Sequence, residues 1–310
     1  MAGKYIADSS AVLIALESTP GTYEEPTTVL PIEKGGDMWV PEWDKDEFNP
    51  ESAYHGSKET TIITDFATMP VTAKMRLPAD NSMISTALAA CGVAGTAITD
   101  GISYAYSTAA KETVSLMQVG ERDTTRAYGE RANFTLTCEV GKPAMVNFEF
   151  KGMFKEQVRL GSSDADNTIP PTPSFETVFM TKNCTAYLVN GNQAHFTKVE
   201  LNLNADIGTA KDTCPGPSWT KDTKPELIVS MMDSIDNEQS FADLQSGKEF
   251  NFIIPLFDVN GVKKWELIVP KCVVIEHKKP KNEGRIALDR TFECRKVNGD
   301  DNFELRAYTA

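Results

Sequence analysis

Strict two-residue alternation of apolar and polar side chains recurs along this chain. It constrains the fold more than any motif, because successive residues of a strand face opposite sides of a sheet. Val71, Ala73, Met75 and Leu77 alternate with Thr72, Lys74 and Arg76. Ala132, Phe134, Leu136, Cys138 and Val140 alternate with Asn133, Thr135, Thr137 and Glu139, and after the turn at Gly141-Lys142-Pro143 the pattern returns through Val146, Phe148 and Phe150. That spacing predicts a hairpin. The habit continues with Val199, Leu201 and Leu203, then Phe250, Phe252, Ile254 and Leu256, then Trp265, Leu267 and Val269. Near the end Phe292 and Cys294 are separated from Phe303 and Leu305 by the turn-like Asn298-Gly299-Asp300. Short loops leave no room for crossover helices, so the sheets are expected to be antiparallel.

Helical signals are sparse. Asp80 or Asn81 can cap a run that places Met83, Ile84, Ala87, Leu88 and Cys91 on one face, with Gly92 as the stop. A second, shorter helix is expected near 240–246, before Gly247. The fold class expected is mainly β: antiparallel β-sandwich or barrel domains with one or two short helices. Residues 1–160 form the first half, with the helix near 81–91 and an extended loop over 34–62. Residues 161–174, rich in Gly, Ser, Asp and Pro, read as a linker or one long loop before the second half, 175–310.

A chain of 310 residues with 41% hydrophobic content can bury a substantial core. Its 44 acidic against 31 basic residues leave a formal charge of −13, which repels phosphate backbones and anionic membranes and disfavours tight nucleic-acid binding. The apolar stretch Ala11 to Leu16 has no cleavage pattern after it, so no signal peptide is expected. The weakly polar run Met83 to Ile98 is too short and too polar to span a bilayer, so no membrane insertion is expected.

Six cysteines (Cys91, Cys138, Cys184, Cys214, Cys272 and Cys294) lack zinc-ligand spacing and read as reduced, mostly buried thiols. Cys214, in Asp-Thr-Cys-Pro-Gly-Pro, is the exception, since that context predicts an exposed loop where a thiol meets another chain. Between Asp37 and Glu59 the aromatic residues Trp39, Trp43, Phe48 and Tyr54 lie among seven acids and two lysines. They need burial, either against a neighbouring subunit or against their own domain. Together with Cys214 they are the candidate inter-subunit contacts.

Catalytic anchors are missing. There is no Gly-x-Ser-x-Gly elbow and no phosphate-binding loop, and His55, His195 and His277 are far apart in sequence. Asp44-Lys45-Asp46 and Asp164-Ala165-Asp166 resemble the opening of a calcium loop but lack its glycine and glutamate. No catalytic residue, cofactor or metal is expected. The sequons at Asn133 and Asn183 read as coincidence, and His277-Lys278-Lys279-Pro280-Lys281 as a solvated turn.

The order of these features resembles a phage tail tube (major tail) protein of the long-tailed type. Leu13 to Thr22, an apolar run followed by Glu17-Ser18-Thr19-Pro20-Gly21-Thr22, looks like the start of that family. Leu88-Ala89-Ala90-Cys91-Gly92 resembles the end of its first helix, and Ala132 to Gly152 its paired strands ending in Phe148-Glu149-Phe150-Lys151-Gly152. Val199 to Asn204 looks like its Asn-containing strand, Ile228 to Phe241 the segment before its short helix, and Gly299-Asp300-Asp301 its final turn. The resemblance implies a non-enzymatic virion subunit, assembled in the host cytoplasm, that forms sixfold rings stacked into a hollow tube for DNA passage. Its partners would then be copies of itself, terminator, distal tail or sheath proteins, and DNA in transient, non-specific transit. Other classes left open are a capsid-decorating or host-binding β-sandwich, and a carbohydrate-active enzyme using two of the many acids.

Overall fold

The computed structural model describes residues 10–33, 39–48, 59–161, 164–181, 187–209, 216–232, 245–278, 281–282, 285–299 and 302–309. The first strands are β1 (Ser10–Leu16), β2 (Thr28–Leu30), β3 (Glu42–Phe48) and β4 (Glu59–Arg76). A short helix, α1 (Ser85–Ala90), precedes β5 (Val93–Ile98), β6 (Gly101–Tyr106), β7 (Val114–Gly120), β8 (Asp123–Glu139) and β9 (Met145–Arg159). There follow β10 (Leu188–Val189), β11 (Asn192–Gln193), β12 (Phe196–Asn202), β13 (Ala205–Gly208), β14 (Trp219–Thr223) and β15 (Glu226–Met232). The last are β16 (Glu249–Phe257), β17 (Lys263–Lys278), β18 (Lys281–Asn282), β19 (Arg285–Cys294) and β20 (Glu304–Tyr308). The chain is mainly β, with antiparallel strand pairs throughout the named ladders.

The alternating stretches became strands where expected, and the predicted hairpin is β8–β9, with Phe134 opposite Phe148 and Leu136 opposite Val146. The expected helix is also present. The Asp80 side chain accepts from the Ser82 amide at 2.9 Å, a short 3-10 turn follows, and α1 buries Ala87 and Leu88. Gly92, at φ +74°, ends it in a conformation that side-chain-bearing residues rarely adopt. The helix expected near 240–246 lies outside the described residues except for Gln245 and Ser246, which are helical.

Pairing between distant parts of the chain organises the body. The second half of β8 pairs with β12, and β20 pairs with β6. Hydrogen-bonded neighbours run β9–β8–β12–β15–β19–β17–β16. Beyond β16 the residues around Phe179 close the circuit: Phe179 and Phe257 exchange amide bonds at 2.7 and 3.0 Å, while the Ala144 amide donates to Val178 at 2.8 Å. One core fills the enclosed space, drawing Met75, Phe134 and Phe148 from early strands together with Phe252, Trp265 and Phe292 from late ones. Strands β19 and β20, despite the turn between them, are not partners. They line one edge of β17 end to end, Cys272 to Lys278 facing β19 and Trp265 to Ile268 facing β20.

The Pro-rich segment after residue 161 lies along the β7–β8 turn. Arg122 donates to Asp166 Oδ1 at 2.6 Å, the Asn167 amide donates to Glu121 at 2.9 Å, and Ile169 packs on Ala11, Leu13, Met117 and Val119. Four of the six cysteines (Cys91, Cys138, Cys272 and Cys294) are buried free thiols. Burial pushes the Cys138 thiol up to about 12, which keeps it protonated and unreactive at neutral pH. Cys184 and Cys214 lie outside the described residues.

Candidate assembly surface

Between Asp80 and Lys111 the chain carries a single charge, Asp100. Strand β5 sits in the middle of that stretch. It pairs with β6 alone, Val93 facing Tyr106 and Ile98 facing Gly101, so its other edge is unpaired among the described residues. Ala94, Gly95, Thr96 and Ala97 are all exposed, which means that both faces of this strand, as well as its edge, meet solvent. Below it, Tyr104 packs against the bare Cα of Gly95, where an added Cβ would lie 3.0 Å from the ring. An exposed edge offers a row of free backbone N–H and C=O groups, and proteins normally blunt such edges with charge or proline. This one has neither. The other outer strands differ: β2 has three residues, β11 has two, and the β3 segment carries Glu42, Asp44, Asp46 and Glu47.

A second projecting element lies in the segment expected to be an extended loop over 34–62. There β3 and the first part of β4 form a two-stranded ribbon, with Asp44 facing Ile63 and Phe48 facing Glu59. Strand β4 meets β9 only from Thr68 onward. Among the described residues the ribbon beyond that point has only its own two strands, an arrangement of marginal stability in water. Sequence reasoning missed it because the alternation signal needs apolar residues, and this stretch is largely charged.

The aromatic candidates have separate environments. Trp39 is 8% exposed and belongs to the main core, and its amide donates to the Gln118 side chain at 2.9 Å. Its own chain thus provides the burial it needs. Trp43 is half-buried and meets Phe154 edge to face, ring centroids 6.0 Å apart. Phe48 ends β3, and Tyr54 and Cys214 lie outside the described residues.

Four acids are buried, Glu17, Glu130, Asp258 and Glu266, and none was recognised in the sequence; the first two share one site. Glu17, 5% exposed, accepts four bonds: from Gly21 N at 2.7 Å, Thr113 Oγ1 at 2.6 Å, Ser115 Oγ at 2.8 Å and Gly129 N at 2.7 Å. Glu130 is fully buried, and neither of its carboxyl oxygens has a partner. A bulge in β8 creates both sites. The register with β9 shifts between Tyr128 and Arg131, Gly129 adopts φ +62°, and Gly152 opposite leaves room that a Cβ would close to 2.6 Å from Glu130 Cδ. Burial, and then the charge of Glu17, raise the Glu130 carboxyl well above the usual carboxylate range.

A pH dependence follows, with its sign set by that raised value. Unfolded Glu130 loses its proton above about pH 4.3, while the folded form keeps it. The folded state is therefore favoured in acid, and this contribution declines as pH rises toward the folded value, by up to about 1.4 kcal/mol per pH unit. Glu130→Met is expected to flatten that slope and to raise stability at pH 7 by about 1–3 kcal/mol, because it removes unpartnered buried oxygens. Urea unfolding of both proteins at pH 5 and pH 7 measures this, and an unchanged slope in the variant would remove the assignment to Glu130.

Among the described residues no three His, Cys, Asp or Glu side chains are placed to share a metal ion, and no helix is long and apolar enough to cross a membrane. No protein-family model matches the chain, and no curated protein matches its sequence.

Proposed function

We propose that this protein is a structural virion subunit whose copies close into hexameric rings and stack into the hollow phage tail tube through which DNA is ejected. The observation that carries the reading is the uncharged, unpaired β5 edge. Copies bearing −13 each repel one another, so association is least opposed where charge is absent, and Val93 to Ile98 is such a place. Pairing that edge with a neighbour satisfies backbone groups that a lone subunit leaves to water. The β3–β4 ribbon supplies a second element that gains from a neighbour, as stacking requires an interface distinct from the one closing the ring. Net negative charge suits a conduit, since a wall that attracted DNA would hold it. Terminator, distal tail or sheath proteins would cap and surround such a tube.

Negative-stain electron microscopy of the concentrated protein tests this. Hollow stacked rings are expected for the parent. The double substitution Ala94→Asp and Ala97→Asp adds like charges to an exposed edge, so it should abolish rings while leaving circular dichroism and melting of the monomer unchanged. A parent protein that stays monomeric, with or without a tail assembly nucleus, would sink the proposal.

A further inference from the structure

The β8 bulge has a second product. Arg131, directly after Glu130, is 5% exposed, and among the described residues it makes one hydrogen bond, from Nη2 to the Ala110 carbonyl at 2.8 Å. Its Nε has no partner, and no described carboxylate lies within ion-pair distance. Glu112, whose field reaches it, is exposed and spends that field largely on water. A buried cation is costly unless an anion faces it. Beside Arg131 is a cavity of about 300 Å³, lined also by Lys111, Tyr106, Ser218 and Trp219. Ser218 is 3% exposed, and its hydroxyl has no partner either.

The loops around this cavity are held in place. The Ser218 amide donates to the Gly129 carbonyl at 3.0 Å, which ties the 217–220 segment to the bulge. Gly21 lies so close to Pro217 that an added Cβ would sit 2.8 Å from its ring, and a Cβ on Gly92 would sit 3.5 Å from Arg131 Nη2. Two cations thus line a space open to solvent on one side within a strongly acidic chain, and the Ser218 hydroxyl, itself shielded from that space, lies in its wall. Water would occupy this space but would supply no counter-charge to the guanidinium, which among the described residues has no ion-pair partner.

We propose that this cavity binds an oxyanion, the charged group of a phosphate or a carboxylate, held by Arg131 and Lys111, with Ser218 turning its hydroxyl inward to donate. The largely buried Tyr106 lowers the polarity of one wall, which strengthens the charge-assisted bonds made against it, while the half-exposed Trp219 stands at the mouth. The remaining volume accommodates ordered waters or the body of a larger anion.

Titration at constant ionic strength tests it, with inorganic phosphate followed by its phosphorus resonance and acetate by equilibrium dialysis. The parent is expected to bind one of the two saturably. Lys111→Gln, at an exposed position, is expected to weaken that binding roughly tenfold through loss of one charge-assisted contact, and Ser218→Ala to weaken it severalfold. Phosphate binding alone identifies a phosphate site, and acetate binding alone a carboxylate site. Absence of saturable binding by either, or variants that bind as the parent does, overturns the proposal. Unchanged circular dichroism of both variants separates loss of the site from loss of the fold.

Discussion

Replacing Glu17 with alanine is expected to lower the unfolding free energy by about 3–5 kcal/mol. Four donors converge on its carboxylate: two backbone amides, Gly21 and Gly129, and two hydroxyls, Thr113 and Ser115. Both hydroxyl residues are buried, at 1% and 0% exposure, so water cannot take the place of the lost oxygens. Each abandoned donor then carries its desolvation cost of about 1–3 kcal/mol, partly relieved by local rearrangement. The loss also reaches the bulge, because Gly129 is held in its positive-φ conformation by one of these bonds. Glu17→Gln should recover part of the loss, since its carbonyl oxygen can still accept from one side. Guanidinium unfolding of the three proteins measures the series, and an alanine variant within about 1 kcal/mol of the parent would show that the network contributes little.

Trp265→Ala is expected to destabilise as well. Its side chain is 1% exposed, its ring stacks on Tyr104 with centroids 5.9 Å apart, and Nε1 donates to the Pro78 carbonyl at 2.8 Å. These contacts join β17, late in the chain, to β6 and to the entry of α1, so the cavity opens where the two halves meet. Truncating a buried tryptophan costs about 3–5 kcal/mol, and the stranded Pro78 carbonyl adds to that. With an unfolding entropy of about 2.1 cal/mol/K per residue, the melting temperature should fall by roughly 5–8 °C. Trp265→Phe keeps most of the ring and loses the donor, so its drop should be about half as large. Equal drops for the two variants would assign the effect to the hydrogen bond rather than to packing.

Trp265 bears on the proposed assembly through rigidity. Tyr104 lies beneath Gly95 of β5, and Trp265 lies beneath Tyr104. The free edge is therefore supported from the core by a column of aromatic side chains, and an edge held in one shape loses less entropy when a partner pairs with it.

Much of the architecture could be read along the chain. Phe134, Leu136 and Cys138 reported a strand with one buried face, and Gly141-Lys142-Pro143 reported its turn, because a period of two and the chemistry of turns are local properties. The cap at Asp80 and the stop at Gly92 were legible for the same reason. The buried acids were not. Glu17 reads as one residue of an opening run, and Glu130, beside Arg131, carries no local signal of burial. The glycine at 129, inside an otherwise continuous strand, was the one signal that could have marked the bulge.

Sequence alone, then, settled the class of structure, since which face of each strand is buried depends on neighbours two residues away. The closure of the sheet through Phe179 and Phe257, the pairing of β8 with β12, and the gathering of Glu17, Glu130 and Arg131 around one bulge came from the folded arrangement. Those contacts join residues tens to hundreds of positions apart, and their energies depend on burial and on partners that no local pattern encodes. The same holds for β5: its lack of charge is written in the residues, but that one of its edges is unpaired among the described residues emerges only from the folded arrangement.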